Sequence, residues 1–286
     1  MITARIIADS ICATGKRITT FELEYPRFIH SEVLTHRALS RNAASSRAIP
    51  LEKMISLIWK NMAEPIHWGQ NKSGMQAKEE LSPIKKFLAQ KLWRFSGKVA
   101  CVFAWLGGKL GLHKQVVNRL IEPWSHIKVV VTATEWDNFF YLRNHSDAQP
   151  EIHDLAAKMY VLYSNNRPKF LKEGDWHLPY ISILGHGTDC PDYSFGVSNG
   201  NSLSLEEAIK VSASMCAQVS FRKADDTLEK AISIYNRLIE SKPCHSSPFE
   251  HQATPLKYGQ ERSGNFLGWK QFRQTIPENV CLNYLR

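Results

Sequence analysis

The first twenty-five residues alternate between apolar and polar. "ITARIIADSI" and "RITTFELEY" place β-branched and aromatic side chains at partial period-two spacing around a turn-forming "ATGK", which predicts an opening hairpin. The period then changes. Pro26 stands where a first helical turn begins, and Phe28, Ile29, Val33 and Leu34 recur at helical spacing, so a helix is expected to run through "RFIHSEVLTHRALS". Residues 51–63 read as a second helix. The polar "EPIHWGQNKSGMQAKEELSP" reads as a long loop ending in the Ser82-Pro83 start of another helix. "IKVVVTATEWDNFFYLR" passes from a β-branched run into helical spacing, and "PEIHDLAAKMYVLYSN" opens with Pro and acids and continues as an amphipathic helix. The Gly/Pro-rich stretch 174–202 predicts a loop or an edge hairpin. Ser204 then N-caps "SLEEAIKVSASMCAQVSF", and a further amphipathic helix follows in "DTLEKAISIYNRLIES".

Composition sets outer bounds. At 286 residues and 43% hydrophobic, the chain can bury a substantial core, as one large domain or two small ones. Lys+Arg exceed Asp+Glu by 36 to 27, and the net charge of +9 favours phosphate-bearing partners, nucleotides and nucleic acids alike. The six cysteines, at 12, 101, 190, 216, 244 and 281, form no CxxC pair, so free thiols and a cytoplasmic location are expected. The start "MITARIIADS" has no signal-peptide pattern. The longest apolar run, "VACVFAWL" at 99–106, is far below the roughly 18 residues of a membrane span.

Candidate chemistry concentrates in "LTHRALSRNAASSR", residues 34–47, which holds three arginines, a histidine, three serines and an asparagine with no acid. On a helix, His36, Ser40, Ala43 or Ala44, and Arg47 would share one stripe, with Arg37 and Arg41 on its neighbour. Arginine forks with serine hydroxyls suit a nucleotide monophosphate; a surface helix with scattered charge is the alternative, although such helices usually interleave both signs. Residues 84–121 carry eight Lys/Arg and no acid, either a polyanion contact or one solvated helix face. "YLRNHSDAQPEI" sets Arg143, His145, Asp147, Gln149 and Glu151 at period two before a Pro-started helix, where they could meet an anion or a polar ring edge, or cap that helix. His245, Glu250 and His251, like His177, His186 and Cys190, match no closed metal pattern, so no metal site is expected. Neither Ser40 nor Ser45 sits in a GxSxG elbow, and the chain contains no GxGxxG or P-loop motif, which leaves out the usual Rossmann and P-loop sites.

The 34–47 cluster resembles the signature of the flavin-dependent thymidylate synthases, the ThyX family, R-H-R-x-x-S-x-N-x-x-S-x-R. It stands here as Thr35-His36-Arg37-x-x-Ser40-x-Asn42-x-x-Ser45-x-Arg47, six of seven positions matching. "NRLIEPWSHI" is similar to the family's A-R-x-x-L-P stretch through Arg119 and Pro123, and "LRNHSDAQPEI" to L-R-x-D-x-H-A-Q-x-E-I. "AQVSF" at 217–221 and "SPFEH" at 247–251 resemble A-R-V-S-F and T-P-F-E-H, segments that normally precede the signature; their position here looks like a circular permutation.

The resemblance implies an α+β, ThyX-like fold, with an antiparallel or mixed sheet core flanked by helices, circularly permuted. It implies one catalytic domain over 1–286: hairpin and signature at 1–50, a helical basic segment at 51–128, a nucleotide and flavin segment at 129–170, the displaced flavin segment at 203–255, and a tail at 256–286 that packs near the site or extends an interface. The implied activity is transfer of a one-carbon unit from methylenetetrahydrofolate to C5 of dUMP, with FAD bound and NADPH as reductant, in a homotetramer whose sites lie between subunits. The alternatives are a related C5 methylase or hydroxymethylase of dCMP or dUMP, or a nucleic-acid-binding protein on the same scaffold.

By carry-over, Arg37, Ser40, Ser45, Arg47, Arg119 and Arg143 face the nucleotide. His36, Asn42, Ser220, His251, Asp147 and Gln149 face FAD, and Arg143 and Ser45 are the catalytic candidates. Thr35, Ala43, Asp147 and Ala48 depart from the family by replacing Arg, Glu, His and Tyr. Changes of hydrogen-bonding type at such positions bear on which pyrimidine is used.

Overall fold

The structure is a computed structural model that describes residues 1–286 except 75, 187–190, 195–201, 221–226, 278 and 281–286; the side chains of 183–186, 191–194 and 220 also lie outside the described set. The expected hairpin forms from β1 (Thr3–Cys12) and β2 (Arg17–Pro26), with Gly15 at φ 75° in the turn, a left-handed conformation that glycine adopts without steric cost. Antiparallel to β2 runs β4 (His126–Ala133), which also pairs with β3 (Ser40–Ala43). At the other edge β5 (Lys169–Leu171) pairs parallel with β1. The resulting mixed sheet has the order β3-β4-β2-β1-β5.

Alternation along these strands gives the sheet two different faces. On one, Phe21, Leu23, Tyr25, Val129 and Val131 pack with Trp136, Phe139, Phe140, Ile152, Leu155 and Met159. These partners come from the start and body of α5 (Asp137–Arg143) and from α6 (Pro150–Asn165). On the other, the register sets Ser40 opposite Thr132 and Thr132 opposite Thr20.

A second apolar cluster joins α2 (Leu51–Lys60) to the 27-residue α3 (Pro83–Lys109) and the short α4 (Lys114–Val117) through Met54, Ile58, Cys101, Ala104 and Val117. Helix α3 begins at the expected Ser82-Pro83. Gly97 permits its close approach, since a Cβ there would lie 2.7 Å from Met62 Cε and 2.8 Å from Trp124 Cδ1. The 174–202 stretch supplies β6 (Ser182–His186), β7 (Pro191–Ser194) and β8 (Ser202–Leu203), paired antiparallel in that order. Helix α7 (Leu205–Ala217) starts at Ser204 with a reciprocal Ser204–Glu207 capping box, and α8 (Leu228–Glu240) packs on it. No helix among the described residues is long and apolar enough to cross a membrane.

One expectation fails locally. The helix projected through the signature stops after one turn, as α1 (His30–Leu34). Arg41 folds back so that its Nη1 donates to the carbonyls of Val33, Leu34 and His36 at 3.2, 2.8 and 3.1 Å, satisfying groups a longer helix would have used internally. The chain then joins the sheet edge as β3. The stripe of His36, Ser40 and Arg47 therefore does not exist, and the side chains alternate as in a strand.

Candidate active site

The signature builds two polar clusters. In the first, α5 delivers Arg143 in its last turn, where a cation suits the helix C-terminus. Its Nε donates to His36 Nε2 at 2.9 Å, its Nη2 donates to Thr35 Oγ1 at 3.3 Å, and its Nη1 lies 3.6 Å from Glu32. Thr35 stands where the family signature has arginine. A hydroxyl there accepts from Arg143, whereas a second guanidinium would repel it. Phe139 meets the His36 ring edge to face at 5.0 Å. Burial, with the nearby Arg143 and Arg41 cations, pushes the His36 pKa down. His36 is therefore neutral, its Nε2 accepts, and its proton resides on Nδ1. Thr35, His36, Arg37, Glu135, Asn138 and Arg143 are among the residues bounding a cavity of about 400 Å³.

Arg47 and Arg119 lie on neighbouring 3-10 turns, Ser46–Ala48 and Asn118–Leu120. Arg47 sits in the turn Ser46–Ala48, which Asn118 fixes by donating from Nδ2 to Ser46 O at 2.7 Å and Ile49 O at 2.9 Å. Arg119 follows Asn118 and pairs with Glu122 at 3.0 and 3.1 Å. Arg37 and Arg47 are both exposed. The cavity around Arg143 is not lined by Arg47 or Arg119, so one chain gathers the expected nucleotide residues into two groups. Ser45 precedes the Arg47 turn in extended conformation.

Asn42 links the signature to the segments far along the chain. Its Nδ2 donates to Cys216 O at 2.6 Å, next to the "AQVSF" segment, and its Oδ1 accepts from Ser247 Oγ at 3.2 Å, in "SPFEH". The segments that the family places before the signature are thus returned to it in space. Ser220 ends a 3-10 turn at Gln218–Ser220, but its side chain and Phe221 lie outside the described residues. His251 is fully buried, with Nδ1 2.8 Å from Thr132 Oγ1 and Nε2 without a partner among the described residues. Gln149 stands at the N-cap position of α6 and donates to Glu151 Oε2 at 3.1 Å, while Asp147 stands exposed nearby. His177 is spent on Ser10 and Thr20, and Glu250 on Arg273; Cys190 and the side chain of His186 lie outside the described residues.

The tail contributes residues that spacing did not single out. Asn265 Oδ1 accepts from Ser40 Oγ at 3.0 Å and its Nδ2 donates to Ala38 O at 3.0 Å, while Gln271 Nε2 lies 3.1 Å from Ser40 Oγ. Arg262 forms a two-pronged pair with Glu135 at the cavity at 2.7 and 3.0 Å. Through these bonds the tail packs on the signature. Thr132, a polar residue within the apolar run "IKVVVTA", is the sequence signal for this buried polar face.

Comparison with known proteins places this arrangement. Residues 17–169, over half of the chain, match the family described as "Thymidylate synthase complementing protein", and the chain belongs to that family. Among solved structures, it is similar to the UMP/dUMP methylase PolB from Streptomyces cacaoi bound with 5-Br UMP, at 15% identity and TM-score 0.50, covering 57% of this chain and 89% of that one. The same methylase bound with 5-Br dUMP gives 14% identity, TM-score 0.47, and coverage of 57% and 90%. No curated protein matches the sequence. The fold is the ThyX-like α+β fold, and the matched region ends before the displaced 217–251 segments.

Proposed function

We propose that the chain is a flavin-dependent C5 methylase of pyrimidine deoxynucleotides, acting on dUMP with bound FAD and with methylenetetrahydrofolate and NADPH as co-substrates. The observation that carries this reading is Asn42, whose one amide ties the signature to segments 174 and 205 residues away, reuniting the motifs of a flavin site. FAD fits what is present. The buried Nε2 of His251 lacks a partner among the described residues, a deficit of roughly 1–3 kcal/mol that a ring ligand would remove. Bound flavin supplies the hydride that completes the methyl group. His251, His36, Gln149, Asp147 and Ser220 are its proposed neighbours, with Asn42 holding that wall together.

On the nucleotide side, Arg37, Ser45, Arg47 and Arg119 bind the phosphate end. Ser40 is already bonded to Asn265 and Gln271, so it anchors the tail beneath the nucleotide. Arg143 faces the pyrimidine. Neutral His36 and Thr35 hold the guanidinium in one orientation, and a preorganised cation beside the ring carbonyl stabilises the negative charge that builds as C5 becomes nucleophilic. Ser45 is the second proposed catalytic residue.

The proposed assembly is a homotetramer in the cytoplasm, each chain forming one catalytic unit over 1–286. Helix α3 supports an assembly, because its outward side exposes Ile84, Leu88, Leu92, Phe95, Val102 and Leu106, with Leu92 at 68% and Phe95 at 66%. Such a surface suits burial against protein and argues against a polyanion contact by the basic 84–121 stretch.

The test is tritium release from 5-³H-labelled dUMP, dCMP and UMP with methylenetetrahydrofolate and NADPH. Release from dUMP by a yellow, FAD-containing protein is expected. Release from dCMP alone would move the substrate to the cytosine nucleotide, and colourless protein that takes up no FAD would overturn the reading.

A further inference from the structure

Beneath the C-terminal part of the chain, five side chains form one hydrogen-bonded line across the sheet. Ser10 Oγ lies 2.9 Å from His177 Nδ1, and His177 Nε2 lies 2.8 Å from Thr20 Oγ1. Thr20 and Thr132 hydroxyls are 2.7 Å apart, and Thr132 Oγ1 lies 2.8 Å from His251 Nδ1. None of the five exceeds 5% exposure. Beyond His251 the line stops at the unpartnered Nε2. Burial holds both imidazoles neutral, with pKa values lowered to about 3.

Proton counting restricts what this line can do. Each member, a hydroxyl or a neutral imidazole, carries one polar hydrogen, and four bonds link the five members. A neutral imidazole bonded through both nitrogens must donate from one and accept at the other. A threonine that accepted from both sides would leave its own buried hydrogen without an acceptor, since neither hydroxyl has a third partner among the described residues. Two arrangements remain. If every bond points toward Ser10, His251 Nε2 is a bare acceptor and the Ser10 hydrogen is also left over, giving two unsatisfied groups. If every bond points toward His251, Ser10 donates to His177, His177 to Thr20, Thr20 to Thr132 and Thr132 to His251 Nδ1. The single spare hydrogen then resides on His251 Nε2. Buried unsatisfied groups are costly, so the second arrangement wins.

The geometry points to a positioning role for His177, Thr20 and Thr132: they fix His251 as a neutral Nε2–H donor, offered to an acceptor on the edge of a heteroaromatic ring. The inference rests on the reading that His251 faces the flavin, whose ring edge carries carbonyl and imine acceptors. His177 comes from the 174–202 stretch, outside every signature segment, and acts on His251 through two threonines without touching it.

The experiment is ¹⁵N NMR of histidine-labelled protein without added cofactor, which reports the tautomer directly, paired with FAD titration. His251 in the unmodified chain is expected to be protonated on Nε2. His177→Phe removes the donor that orients the line and is expected to give a mixture of both His251 tautomers, which a purely structural role would not produce. Thr132→Ser keeps the wild-type spectrum, whereas Thr132→Val weakens FAD binding by about tenfold. A wild-type His251 protonated on Nδ1, or a tautomer unchanged by His177→Phe, would overturn the inference; the wild-type spectrum decides even if a variant fails to fold. If the unmodified chain binds no FAD, the flavin reading falls while the spectrum still settles the tautomer.

Discussion

The two faces of the central sheet divide the work of the molecule. One face buries Phe21, Leu23 and Tyr25 against α5 and α6, with Trp136 packed edge to face on Phe21 at 5.1 Å, and its partners are apolar. The other carries Ser10, Thr20, Thr132 and Ser40, bonded to His177, His251, Asn265 and Gln271 from the last 110 residues. The first face stabilises by area removed from water, at roughly 1.5–3 kcal/mol per fully buried large side chain. The second gains little net stability per bond, because each hydrogen bond replaces one to water, yet it specifies one geometry and one protonation pattern. Apolar packing and the buried hydrogen-bonded line are thus carried by opposite sides of the same strands.

That division can be broken from either side. On the apolar face, Phe21→Ala is expected to cost about 3–5 kcal/mol, read as a lower urea midpoint with little change in residual FAD affinity per folded molecule. At the adjoining cavity, Arg143→Ala is expected to leave the urea midpoint near wild type and to lower kcat by about 10²–10³-fold, about 2.7–4 kcal/mol of transition-state stabilisation. Removing Asn42 should fall between these behaviours. Asn42→Ala removes the bonds to Cys216 O and Ser247 Oγ, and a loss of about 1–3 kcal/mol together with weaker FAD binding is expected by parallel urea and flavin titrations.

A pH-dependent effect comes from the polar face. His177 and His251 have folded pKa values lowered from 6.5 to about 3, so the unfolded chain binds protons that the folded chain refuses. Stability is therefore full above pH 6.5 and falls as the pH drops from there toward 3, by at most about 1.4 kcal/mol per pH unit for each histidine. The urea midpoint should already decline between pH 7 and 5.5, above the range where carboxylates titrate; a flat midpoint would contradict the neutral, buried pair. Least affected in folding should be Leu92→Glu on α3, within about 0.5 kcal/mol of wild type because the side chain is exposed in one chain. It should nevertheless shift the assembly to smaller species by light scattering.

The two faces were also unequally legible in the sequence. Period-two alternation, the Ser82-Pro83 start and the Ser204 cap marked the hairpin, α3 and α7 because those signals are local. Signature spacing identified His36, Arg37, Ser40, Asn42, Ser45 and Arg47 as a set without identifying their conformation. The helix expected there ended early because Arg41 caps α1 and residues 40–43 pair with β4, interactions between positions as far apart as Ser40 and Thr132. Charge counting in 84–121 predicts a polyanion contact or a solvated helix face, and α3 exposes apolar residues such as Leu88, Leu92 and Phe95 beside those cations. The line from Ser10 to His251 leaves only Thr132, a polar residue within an apolar run, as a local mark, since its members meet through sheet register and a returning segment.

The central claim is that this scaffold uses flavin to methylate a pyrimidine deoxynucleotide. Its most direct test is product analysis after incubating purified protein with dUMP, methylenetetrahydrofolate, FAD and NADPH. The account predicts dTMP that depends on added reductant and is lost in Arg143→Ala; no C5-alkylated nucleotide from a folded, FAD-bearing protein would contradict it.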